Sequence, residues 1–172
     1  PSPSPAARFA VIGDYGLAGQ PEAEVAALVK SWRPDFIVST GDNNYPFGAT
    51  DTLEANVGQY YGEFIAQNRL FPTLGNHDWL TPGAQPYLDY FSLPGNERYY
   101  DLARGPVHLF LLDSDSHEPD GIGPDSVQAT WLKAGLAAAP ERWKLVVFHH
   151  APYSSGYHGG TAALRWPFRS AN

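Results

Sequence analysis

Four short polar clusters hold the residue types in this sequence that can do chemistry. Asp14 sits in Gly13-Asp14-Tyr15-Gly16, and Asp42 and Tyr45 sit in Gly41-Asp42-Asn43-Asn44-Tyr45. Asn76, His77 and Asp78 follow Gly75, and His149 and His150 follow the run WKLVVF. Carboxylate, phenol, amide oxygen and imidazole together suit iron, manganese or zinc better than a thiol-seeking metal. The chain has no cysteine, so it offers no disulfide and no thiolate ligand. Taken singly, each cluster has an ordinary structural explanation. Gly-Asp after a strand is commonly a turn, Asn-His-Asp can cap a turn, and adjacent histidines can be a satisfied polar pair. What sets these four apart is position, because each closes an apolar run.

Those runs are the elements that must place the clusters. Arg8 to Ile12, Asp35 to Ser39, Leu70 to Leu74 and Trp143 to Phe148 read as strands, the first and the last as buried ones. Pro21 to Trp32 reads as a helix, with Pro in the first turn, Glu22 and Glu24 near its positive end, and Pro34 stopping it. A second helix falls within Leu53 to Gln67 and a third at Ser126 to Ala139. Arg98 to Ala103 and Val107 to Leu112 flank Gly105-Pro106 as a hairpin, while Thr81 to Glu97 reads as a long surface excursion. Strands alternating with helices predict an α/β domain, whose ligands gather beyond the carboxyl ends of the strands. His108, inside a strand-like run, reads as structural, and His117, beside Asp115 and Glu118, as solvated. The aromatic residues around Tyr87–Tyr100 read as packing or a pocket wall.

Composition narrows the class further. The chain has 172 residues, 43% of them hydrophobic and 17% charged, which suits one globular domain. A net charge of −7 argues against a nucleic-acid scaffold. It also disfavours an anionic substrate unless bound cations offset the carboxylates. No apolar run approaches a membrane span. The opening PSPSPAA, residues 1–7, reads as a flexible tether ahead of a domain over 8–172. With no Met at its start, the tether predicts removal of a leader and hence export, to a periplasmic, cell-surface or secreted location.

In this order the four clusters resemble the calcineurin-like metallophosphoesterases, and specifically the purple acid phosphatases. The family pattern GDxG, GDxxY, GNH followed by an acid, and VxxH is matched by GDYG, GDNNY, GNHD and VFHH, with Tyr45 the most telling member. The resemblance implies a four-layer α/β/β/α sandwich. It also implies two metal ions, Fe(III) plus a divalent Fe, Zn or Mn. Asp14 and Tyr45 would hold the first, Asp42 would bridge, and Asn76 and His150 would hold the second. The family's Pro two residues after the ligand His selects His150 through Pro152, leaving His149, like Asp78, in a supporting role. His77 and His158 would face the phosphoryl group and the leaving oxygen. The implied activity is hydrolysis of phosphate monoesters by a metal-bound hydroxide. The alternatives are a phosphodiesterase and a non-catalytic binding protein on a degenerate scaffold. The family's closing GHxH has no counterpart after His158. The expectation is therefore a chain that stops before that motif, has an incomplete second sheet, and is poorly active until a C-terminal segment is supplied in cis or as a separate chain.

Overall fold

The structure, a computed structural model, describes residues 6–167. Residues 1–5 of the expected tether lie outside that range, and Ala7 already packs at the core. Strands β1 (Phe9–Ile12), β2 (Phe36–Ser39) and β3 (Leu70–Pro72) form a parallel sheet in that order. Strands β4 (Tyr100–Arg104) and β5 (Val107–Leu111) form an antiparallel hairpin, turning at Gly105 with φ +58. Strand β6 (Trp143–Val147) adds to β5 in parallel. Helices α1 (Gln20–Ser31) and α5 (Val127–Ala138) are regular. Helix α2 (Thr50–Leu53) runs through a π-helical turn at Glu54–Gly58 into α3 (Gln59–Ala66).

Side-chain alternation along the strands builds the layers. Ala10, Ile12, Ile37 and Leu70 face Ala26 and Val29 of α1 and Leu53, Val57, Tyr61 and Phe64 of α2–α3. The intervening Phe36, Val38 and Phe71 face Tyr100, Leu102, Val107, Leu109 and Leu111 of the other sheet. Phe110 and Leu112, with half-buried Val146 and Phe148, face Ala129 and Leu132 of α5. Three apolar layers thus separate helix, sheet, sheet and helix, the α/β/β/α arrangement. Strands β1 and β6 are the sheet edges on one side of the sandwich. There Phe9, Leu145 and Val147 are only partly buried, and Val11 is 54% exposed.

Two expectations change. Strands β1 and β6 are not fully buried strands but sheet edges, with Val11 and Trp143 exposed and the other apolar side chains of β6 half-covered. The segment after Thr81 is not simply a surface excursion. It contains helix α4 (Gln85–Tyr90), which brings Tyr87 and Phe91 into the core, and the Tyr87 hydroxyl donates to the Pro72 carbonyl at 2.8 Å. Pro86 sits in the first turn of α4, and a four-residue spacing puts both rings on one face.

His108 is structural, and its bonds show how. Its Nε2 pairs with Asp101 at 2.6 Å and its Nδ1 with Glu141 at 2.8 Å, tying β4, β5 and the lead-in to β6 together. Burial alone would lower its pKa, but the hydrogen bonds to Glu141 and Asp101 outweigh it and the net shift is upward.

Candidate metal centre

The ends of β1, β2 and β3 turn sharply, and the turn residues do the positioning. Asp14 and Asp42 both adopt left-handed backbone, φ +51 and +54, which swings each carboxylate out at its strand end. Gly41, at φ +100, leaves no room for a side chain, because a Cβ there would lie 2.7 Å from His149 Nδ1. The loops are then cross-linked. Asp14 N–H donates to the Gly41 carbonyl at 3.1 Å, and Tyr45 N–H donates to the Gly16 carbonyl at 2.7 Å. Asp78, 2% exposed, accepts from Asn43 N–H, Asn43 Nδ2 and Gly75 N–H, and so clamps the GDNNY loop to the GNHD loop. Burial raises the Asp78 carboxyl to about 6, and those N–H donors hold the rise in check.

Asp42 lies at the centre of the site. Its Oδ1 accepts the His77 N–H at 2.8 Å, and its Oδ2 lies 3.0 Å from the Tyr45 hydroxyl and 3.5 Å from His149 Nε2. The Tyr45 hydroxyl is also 3.1 Å from Asp14 Oδ1. One phenolic hydrogen serves two carboxylates here, and burial followed by the charges of Asp42 and Asp14 pushes the Tyr45 pKa well up. Donor atoms of Asp14, Asp42 and His149 all fall within 4.8 Å of one another. Oxygen-rich donors that repel each other at this spacing fit a cation among them, whose charge would also release the Tyr45 proton.

The two adjacent histidines divide differently from the reading based on Pro152. Leu145 and Val147 face the sheet-to-sheet core, while Val146 and Phe148 face α5. The same alternation sends His149 toward the first sheet and His150 away from it. His149 Nδ1–H donates to the Thr40 carbonyl at 2.9 Å, and its Nε2 lies 3.1 Å from Asn76 Oδ1. A backbone carbonyl on one nitrogen and the free lone pair of the other aimed at the donor cluster is the posture of a metal-ligating imidazole. His150 instead bonds Ser114, whose hydroxyl accepts the His150 N–H at 2.9 Å and lies 3.0 Å from Nδ1. Burial, then the neighbouring His149, lowers the His150 pKa.

A cleft of about 480 Å³ opens over these groups, lined by Asp14, Asp42, Tyr45, Asn76, His77 and both histidines on one side and by Ser154, His158 and Thr161 on the other. His77 Nδ1–H donates to the Pro46 carbonyl at 2.6 Å, and its Nε2 stands 4.0 Å from Asp42 Oδ2. His158 is exposed on the far loop and has Tyr157 as a ring neighbour at 5.2 Å. The sequence reading passed over a fifth polar cluster, Asp113-Ser114-Asp115, which closes β5 as the others close their strands. That same position at a strand end was the signal that could have found it.

Three parallel strand ends and a second sheet's edge converging on carboxylates, a phenol, an amide and an imidazole define an α/β sandwich with a candidate metal site. The model of the family described as calcineurin-like phosphoesterase matches residues 7–171. The chain belongs to that family. Its curated relatives include mouse (Mus musculus) tartrate-resistant acid phosphatase type 5, 30% identical over 95% of this chain and 61% of the relative. Arabidopsis thaliana purple acid phosphatase 17 is 29% identical over 91% of this chain and 55% of its own length. The chain therefore spans about 61% of the mouse relative's length. Among solved structures, a purple acid phosphatase from yellow lupin (Lupinus luteus) seeds matches with TM-score 0.69 at 18% identity, over 92% of this chain and 33% of that one. GAP50, described as the anchor in the inner membrane complex of Plasmodium, matches with TM-score 0.68 at 20% identity, over 96% and 61%. Those two likenesses concern the fold alone.

Proposed function

We propose that this chain carries the larger part of a two-metal acid phosphatase that hydrolyses phosphate monoesters. The observation that carries the reading is the clustering of Asp14, Asp42 and His149 within 4.8 Å, with the Tyr45 hydroxyl set between the two carboxylates. Asp14 and Tyr45 would hold Fe(III), Asp42 would bridge, and Asn76 with His149 would hold a divalent Fe, Zn or Mn. When bound, two such cations lower the pKa of a coordinated water and neutralise phosphoryl charge. The chain's own groups do the rest. His77, with Nδ1 committed to Pro46, presents Nε2 to the cleft for a phosphoryl oxygen, and His158 stands on the opposite loop, placed to give a proton to the leaving oxygen. The net charge of −7 then no longer opposes an anionic substrate.

The open edges of β1 and β6 and the two or three protein ligands per metal favour completion by further polypeptide, in cis or as a separate chain. Export is the location we propose. Among the described residues no helix is long and apolar enough to cross a membrane. The relatives named as acid phosphatases favour the monoester over the diester reading. The likeness to an anchor protein means that the fold by itself does not argue for catalysis, so the ligand set has to.

The test is metal analysis of the natural protein, with phosphate release from paired aryl monoester and diester substrates. Stoichiometric metal, faster monoester cleavage and a visible band that disappears in Tyr45→Phe are expected. A protein with no bound metal and no hydrolysis of either ester would sink the proposal. Diester cleavage outpacing monoester cleavage would transfer the site to the phosphodiesterase reading.

A further inference from the structure

The donors assigned to the divalent metal come from different sheets. Asn76 lies in the loop after β3, and His149 follows β6 of the other sheet. Their own contact does not hold them together. With Nδ1–H given to the Thr40 carbonyl, His149 Nε2 faces Asn76 Oδ1 as one acceptor to another at 3.1 Å. The apolar layer between the sheets is non-directional and sets no side-chain spacing at this precision. A directional tie between the two loops is therefore needed.

Trp79 supplies one. Three residues after Asn76, it donates its Nε1–H to Asp113 Oδ2 at 2.9 Å. Leu111 pairs with Val147 in the register of β5 and β6, and Asp113 and His149 each lie two residues beyond that pair. The bond thus joins the loop that carries Asn76 to the strand end beside His149. Both of its partners are anchored. Asp113 is 1% exposed, and Gln128 of α5 holds its main chain on both sides: Oε1 accepts the Asp113 N–H and Nε2–H donates to its carbonyl, each at 2.9 Å. Asp113 Oδ1 accepts the Asp115 N–H at 2.9 Å. Trp79 packs against the core between the first sheet and its helices, and Asp78 before it is clamped to Asn43 and Gly75. A hydrogen bond between anchored groups fixes both distance and angle.

We propose that Trp79 is a positioning residue for the divalent-metal site, setting the separation of Asn76 and His149 through its bond to Asp113. The proposal rests on the phosphoesterase reading and its ligand assignment. Neither Trp79 nor Asp113 lines the cleft, so the effect passes through the loops. Asp14, Asp42 and Tyr45 all come from the first sheet, so the Fe(III) site does not depend on the tie.

The experiment titrates Zn(II) into the natural protein with Fe(III) in place, by calorimetry, and follows the Fe(III) site by its visible band. Trp79→Phe keeps an aromatic ring and removes the donor. It should weaken Zn(II) binding by about tenfold to a hundredfold, the range for losing a group that orients a metal ligand, with Fe(III) content and band unchanged. Asp113→Ala should act alike, and the double variant should lose no more than either single one. His108→Gln removes a tie remote from the cleft and should leave Zn(II) affinity within about twofold, which separates positioning from a general loss of stability. A further measurement needs no substitution. Coupling is reciprocal, so Zn(II), given as the only metal, should slow exchange of the Trp79 indole hydrogen as read by NMR. Unchanged Zn(II) affinity in Trp79→Phe, an equal loss at both metal sites, an equal loss in His108→Gln, or indole exchange indifferent to Zn(II) would each overturn this inference and leave the phosphoesterase reading standing. An unmodified natural protein that takes up no metal would remove both.

Discussion

Behind one wall of the cleft, Asp42, Asn43, Asn44 and Asp78 are each at most 2% exposed and each is hydrogen-bonded, Asn43 to Asp78, Asp78 also to Gly75 N–H, Asn44 to Asn56, and Asp42 to His77 N–H. On the other, the loop over residues 151–161 carries Tyr153 at 72% exposure and Tyr157 at 99%. The base of that loop is tied by Thr161 N–H to the Ala151 carbonyl at 2.8 Å, but at the tip Tyr157 and His158 meet chiefly each other. Groups that hold cations must be fixed before the cations arrive, because mutually repelling carboxylates will not gather unaided. A proton donor can instead be brought in by the substrate. Under the proposed function, the first wall would meet the cations already formed, and the second would be ordered by the substrate.

The sharpest way to break this comparison is at Asp42. Asp42→Ala should abolish metal binding and cut phosphatase activity by at least about a thousandfold, the scale of losing preorganised charge stabilisation. Metal retained at full stoichiometry would show that the first wall is not the metal wall. Next comes the histidine pair. His149→Ala should weaken divalent-metal affinity by about a hundredfold or more, and His150→Ala by no more than the roughly tenfold low end of outer-layer losses. Equal losses in metal titrations would mean that strand alternation does not assign the ligand. For the exposed wall, His158→Ala should lower kcat while leaving metal content intact, by less than the roughly hundredfold of a fully committed general acid. A loss well above that figure would mean the loop is as preorganised as the wall opposite.

The smallest effect concerns stability, at a distance from the cleft. The His108 pKa is raised in the folded state, so its bonds with Asp101 and Glu141 stabilise the fold fully below the unfolded value of about 6.5. That contribution fades as pH rises through the higher folded value. Melting temperatures of the protein and of His108→Gln should therefore differ most in acid and converge above neutrality. A gap that widened with rising pH would reverse the assigned sign.

Much of the fold was legible because local chemistry and global position agree. Gly13, Gly41 and Gly75 announce the strand ends, and the polar residues following them are the ones that converge. Helix α4 was hidden because its six residues lie among prolines and glycines, and its amphipathic face is legible only against the core it fills. Strand β6 looked buried because its composition is apolar. Its exposure depends on having a neighbour on one side only, which composition does not encode.

The sequence by itself determined the donor types, their order along the chain, and the strand-end positions that make them a set. The resemblance built on those motifs led to the family. Tertiary structure set which histidine lies beside Asp14 and Asp42. The Pro152 rule pointed to His150, but period-two alternation in β6, fixed by Leu145 and Val147 against the first sheet, turns His149 to Thr40 and Asn76. It also brought Trp79, from another loop, against the ring of His117, which remains solvent-exposed. In both cases the deciding contacts join residues distant in sequence or depend on which way a strand faces, and neither is visible until the chain is folded.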